Sequence, residues 1–514
     1  MVHRSGSDGI CRIVSWPVLV AALVRFRLNC AHIGGSYYEH LAPMTPVVIS
    51  NYRAPSRHGC LLVDEPILAI AMMTIASRYM QLDGPGGTSR AYQIHNVLWD
   101  NLRGMVQRLM WGQEQFGGSF CDGGVIKTRD SSTGQIEWKG SLRTLGTIEA
   151  LLLLTDWHPR ALHFPPGTNE TRILDGEFAV HGNNSNGLSR AAGPEEDDKV
   201  ALSSWLEPAW RSDRMSWMLL GAAVALSFEL NVFDKQHYKC RQNHRPESEC
   251  AKKQRVRRMV LVYVSQTSGR FGFPPMLSFE QWRSDPVFEE TRTGYHEGAP
   301  DAVELMHGCW MGIARLMHKA NEEIFPSKQF TRDLTSSGRY ISAIARFKPM
   351  LQEWKSDYDH VRRHFRPVMQ HLLSMEYDYA RLYINSLGLQ KVVESWINIS
   401  NNEAVGPNGQ AQNTEAGSAA RASGSKSGGV TFSLLLEIWR PNKVYIDEVT
   451  DAARNILFAV REGLVPNGGL THASVRSYSR ILSGLMFTLK VRSLPLSPLK
   501  RIWPRKSSLH RSSY

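Results

Sequence analysis

The chain contains no C-x-x-C pair, and its seven cysteines (Cys11, Cys30, Cys60, Cys121, Cys240, Cys250 and Cys309) are odd in number and widely scattered. That pattern excludes a disulfide framework and the zinc sites built on paired cysteines, and predicts free thiols in a reducing compartment. Cys240 and Cys250, with His237 and His244 nearby, match no common zinc spacing and read as free cysteines beside surface histidines. Also missing are a G-x-S-x-G elbow, H-E-x-x-H, a Rossmann fingerprint and a phosphate loop; Gly84-Pro-Gly-Gly-Thr-Ser lacks the lysine and reads as a turn. Neither a catalytic nor a metal-ligating residue is assigned. The longest apolar run, Ile13 to Val24, falls short of the roughly 20 residues a membrane span needs and has no small-residue cleavage site after it, so no membrane partner is expected.

Charge is abundant but badly placed for a nucleic-acid footprint. The net charge is +12, of which Met1 to Gly34 holds +3 and Val491 to Tyr514 holds +6, leaving about +3 for the whole middle. At 514 residues, 42% hydrophobic and 21% charged, the chain can bury a sizeable core and resembles ordinary globular composition.

Helical spacing dominates. Periodicity predicts helices over Asp64 to Leu82, with Pro66 in the first turn, and over Thr88 to Trp111, where Tyr92, Ile94, Val97, Leu98, Leu102, Val106 and Leu109 trace one face. Ser141 to Trp157, Trp217 to Phe233, Lys252 to Met276, Asp301 to Glu323, a stretch from Leu334 to Asn398 broken at Pro349 and Pro367, Asn442 to Leu464 and His472 to Lys490 follow. Tyr37 to Cys60 reads as extended and Gly112 to Glu137 as loop. Residues 167–199 read as a disordered insertion and 400–430 as a flexible linker. No stretch alternates at period two, so the expected class is all-α. The basic turn Lys252, Lys253, Arg255, Arg257 and Arg258 is read as a solvated helix face.

Trp217 to Phe233 (WMLLGAAVALSFELNVF) resembles the W-x-L-x-G-x-A helix, and Lys252 to Met276, with its basic start, Tyr263, Gly269, Gly272 and Pro274, resembles the following segment, of the fungal zinc binuclear cluster transcription factors. The part resembled is their regulatory middle homology region, over about Ser36 to Lys490. The resemblance implies 36–399 and 431–490 as one helical body, between an atypical N-terminus (1–35), expected to be a gene-model artefact, and a basic irregular tail (491–514). It further implies a nuclear regulator of RNA polymerase II transcription, DNA and transcription machinery or regulatory proteins as partners, a small-molecule inducer and a homodimer. The six-cysteine cluster has no counterpart here, so zinc and DNA binding are implied by family alone and no cofactor is expected in this chain.

Candidate ligand-binding residues are His158, Arg160 and His163, which flank a proline-rich helix end, and Arg270. The competing reading is an all-α enzyme using Glu149, Asp156, His158 and His163, and a third is an inert helical scaffold. An acid/base pair converging on a closed pocket favours the enzyme; lone polar groups and aromatics favour a sensor.

Overall fold

Proline sets several helix starts, because a fixed φ and a missing N–H cost nothing in the first helical turn. The computed structural model describes residues 34–113, 126–129, 136–139, 141–162, 194–234, 249–278, 301–404, 427–466 and 468–494. Helices α1 (Pro55–Asp64) and α2 (Pro66–Ser77) both open on proline. They are followed by α3 (Gly87–Met110), a hairpin of β1 (Ile126–Arg129) and β2 (Ile136–Lys139), α4 (Leu145–Asp156), α5 (Pro194–Glu229), α6 (Glu249–Phe271) and α7 (Ala302–Glu323). Next come α8 (Lys328–Ser336), α9 (Tyr340–Ala345), α10 (Phe347–Val361), α11 (Pro367–Ala404), α12 (Ser427–Ala459) and α13 (Val475–Ser493).

The fold is all-α, as the spacing predicts, with the antiparallel hairpin as its one strand pair among the described residues. That hairpin corrects the loop reading of Gly112 to Glu137, and α1 corrects the extended reading of Tyr37 to Cys60. Pro349 does not break a helix but sits in the first turn of α10, the interruption falling at Arg346. Pro367 begins α11 as expected, whereas Pro208 and Pro441 lie inside α5 and α12. α5 begins within 167–199, and α11 and α12 extend into 400–430. The rest of those two segments, with Ile13 to Val24 and Cys240, lies outside the described residues.

Two compact units are present. Of the described residues, the first comprises 34–42, 49–150 and 159–162 and the second 43–48, 151–158 and everything from 194 onward. In the first, α2 is buried along its whole length, as a helix apolar all round must be. α3 packs on it through Ala91, His95, Leu102, Met105 and Leu109, while Tyr92 and Val97 are exposed. The buried face of α3 is thus rotated from the predicted one, because His95 bonds inward to the Ser77 hydroxyl (3.0 Å) and the Thr74 carbonyl (3.2 Å).

In the second unit, α11 and α12 form the most extensive pair. Leu373, Ala380, Ile384 and Leu387 of α11 and Ile446, Val449, Ala453 and Ile456 of α12 are all buried, at the three-, four- and seven-residue spacings that let helix ridges meet grooves. Each of the leucine, isoleucine and valine side chains contributes about 1.5–3 kcal/mol on burial. The helices approach closely at Gly388, where an added Cβ would lie 2.7 Å from Tyr445 Cβ. α6 is buried from Val256 to Val264, and its Arg257 and Arg258 are themselves only 2% exposed. The solvated-face reading therefore fails for these two, and Arg258 instead pairs with Glu304 of α7.

Candidate functional site

The end of α4 and parts of five further helices, α5, α6, α7, α11 and α13, build a buried polar cluster within the second unit. Ser474 caps α13 by accepting a hydrogen bond from the Ser477 amide (3.2 Å), which fixes the helix start and turns Arg476 and Arg480, four residues apart, to one face. Asp156 Oδ2 accepts from Arg476 Nη2 at 2.8 Å and from the Tyr263 hydroxyl. Because Tyr263 gives its proton to Asp156, the Thr45 hydroxyl at 3.2 Å must donate to Tyr263. Arg476 Nη1 donates to Gln266 Oε1 (3.2 Å), and its guanidinium lies over the rings of Tyr263 (4.5 Å) and Trp310 (4.8 Å). Arg480 Nε reaches Glu376 at 3.1 Å, its guanidinium 3.7 Å from the Tyr379 ring centre. Arg270 pairs with Asp213 at 3.3 Å.

These groups surround a recess lined by Asp156 of α4, Ser216 of α5, Tyr263, Gln266 and Arg270 of α6, and Arg476 and Arg480 of α13. The space open to the centre of a water-sized group is about 20 Å3, and the whole void with its mouth is about 320 Å3. Burial pushes the Asp156 carboxyl upward, against Arg476 and the Tyr263 hydrogen bond, and raises the Tyr263 hydroxyl. Burial acts to lower Arg476, but Asp156 and Tyr263 more than compensate and hold it above its ordinary value. Arg270 is lowered by burial, which outweighs the upward pull of Asp213, and Arg480 pushes it slightly further down. Three buried donors on residues lining the recess, Gln266 Nε2, Arg270 Nε and Arg480 Nη1, meet no acceptor in the protein, and neither does Trp310 Nε1 in the cluster beside it.

Of the four candidate ligand residues, Arg270 lines the recess directly. His158 lies beside it, its ring nitrogens each 3.0 Å from the hydroxyls of Ser212 and Ser216. Arg160 belongs to the first unit, where its amide donates to His95 Nε2 (3.1 Å), its guanidinium lies 3.9 Å from the Tyr92 ring centre and it donates to the Arg78 carbonyl. His163 lies outside the described residues. Among the enzyme candidates, Glu149 is in the first unit, and Asp156 and His158 are bonded to different partners rather than to each other.

Sequence reasoning missed Arg476, Arg480, Gln266 and Glu376. The available signal was the pair of arginines four apart in a helix otherwise rich in leucine. It was masked because α13 buries Arg476 and Arg480 while exposing Leu482, Leu485, Met486 and Leu489. Among the described residues, no three His, Cys, Asp or Glu side chains gather where they could hold a metal. No single described helix is long and apolar enough to cross a membrane.

No family model matches the chain, and no solved structure matches it. It is similar to a curated protein, Transcription factor hmgR of Aspergillus fumigatus, at 29% identity over 471 residues. The alignment covers 89% of this chain and 55% of that protein, so the chain spans little more than half the length of this relative.

Proposed function

We propose that this chain is the regulatory helical body of a fungal transcription regulator of the zinc binuclear cluster family, acting in the nucleus on RNA polymerase II genes. The observation that carries the reading is similarity along 89% of the chain to a protein named as a transcription factor. The two segments that resemble the middle homology region add support: they form most of α6 and the C-terminal part of α5, which pack on each other, with Trp217 against Phe271 and Phe273 at ring separations of 6.0 and 5.0 Å.

In this reading the body works through protein partners and a small-molecule inducer, the recess beside Asp156 being where the inducer acts. DNA is a partner through the family only. Zinc would sit in a six-cysteine cluster that the cysteines of this chain do not form, and no residue here is assigned to it. The arrangement of the site favours a sensor over an enzyme, since its charged groups are tied into ion pairs rather than aimed as an acid and a base at one point.

The test is to fuse the chain to an unrelated DNA-binding domain and measure a reporter behind that domain's site in a fungal host. Reporter output should change severalfold relative to the DNA-binding domain alone. An unchanged reporter at equal protein level contradicts the reading.

A further inference from the structure

We propose that the recess between α4, α6 and α13 binds the carboxylate head of a small monoanionic metabolite. The inference rests on the regulatory reading above for its biological meaning but not for its chemistry.

Two observations carry it. The first is an imbalance of hydrogen-bonding groups. Gln266 Nε2, Arg270 Nε and Arg480 Nη1 are buried donors without an acceptor, on residues that all line the same recess. Buried donors left unmet are costly, and a carboxylate, which accepts on two oxygens and donates nothing, is the complement of such a set. The second is the distribution of charge with depth. The Arg270, Arg476 and Arg480 side chains are 16%, 9% and 1% exposed, and the carboxylates buried with them are Asp156 and Glu376, at 2% and 3%. The third carboxylate, Asp213, pairs with Arg270 at 3.3 Å but is 46% exposed. Arg270 is thus the arginine of the three whose ion pair is made to a half-exposed carboxylate, and a bound monoanion adds the buried negative charge that its own pair lacks.

Size narrows the class. Space of about 20 Å3 admits one or two water-sized oxygens of a small head group but not a ring, while the mouth leaves the remainder of the molecule outside. Gln266 is the residue that separates an acceptor from a donor here: its Oε1 is used by Arg476 and its Nε2 is not used at all.

The experiment is thermal unfolding of the full chain, followed by tryptophan fluorescence, in sodium acetate against sodium chloride at matched ionic strength. Acetate should raise Tm by about 2 °C or more beyond chloride, in a saturable manner. Gln266→Glu removes one unmet donor and puts a carboxylate into the recess that Arg270 and Arg480 also line, so it should raise Tm without acetate and abolish the acetate response. Gln266→Leu should weaken acetate about tenfold and serves if the charged variant does not fold. Equal effects of acetate and chloride, an acetate response in Gln266→Glu matching that of the unsubstituted chain, or a response to phosphate but not acetate would each overturn the proposal. Because these readouts use purified protein, they can succeed or fail independently of the reporter test.

Discussion

His95 shows how much one side chain can fix at the residue scale. Its Nε2 accepts from the Arg160 amide, so its proton must be on Nδ1, which faces the Thr74 carbonyl and the Ser77 hydroxyl. Burial, and then the nearby Arg160, lower its pKa to about 4, the Thr74 carbonyl opposing. His307 in the second unit, donating from Nε2 to the Pro46 carbonyl, is likewise lowered to about 4 by burial and then Arg258. Both folded values lie below the usual 6.5, so the unfolded chain binds more protons in between. The stability these neutral imidazoles contribute is fully present above about pH 6.5 and is lost as pH falls towards 4, by about 3 kcal/mol for each. Denaturant unfolding across that range should show the decline, and His95→Gln should flatten part of it. A decline of the same size in His95→Gln would show that its protonation is not responsible.

At the scale of elements, the sequence was most legible where periodicity was strong, as in α3 and α7, or proline marked a start, as in α2 and α11, and all four lie close to their expected places. It was less legible where a proline was tolerated inside a helix, as at Pro441, or where a short helix such as α1 lay in a segment dense with proline. Buried faces were harder still. In α3 and α13 polar residues point inward, His95 to the carbonyl of another helix and Arg476 and Arg480 to carboxylates at Asp156 and Glu376, far away in sequence. A hydrophobic pattern cannot reveal such pairs, since each is satisfied only by a residue that the fold brings to it. That is also why Arg270 was found and its companions were not. The α11–α12 contact makes a prediction at this scale: Gly388→Ala should destabilise the chain by about 1–3 kcal/mol, because the new methyl meets Tyr445 Cβ and the helices must separate. Equilibrium urea unfolding measures it, and an unchanged midpoint would mean that the two helices do not approach as closely as described.

At the scale of the whole molecule, the positive charge is concentrated at the two ends, and Arg257, Arg258, Arg270, Arg476 and Arg480 are enclosed in the second unit rather than displayed on its surface. A surface of that kind suits contacts with proteins better than contacts with phosphate backbones. It accords with a regulatory body whose link to DNA lies in something other than a basic face of its own helices. The most direct test of this account is chromatin immunoprecipitation of the tagged protein from its own cells, followed by sequencing. The account predicts reproducible enrichment at a discrete set of promoters whose transcripts change when the gene is deleted. Uniform background recovery, with those transcripts unaltered, would contradict it.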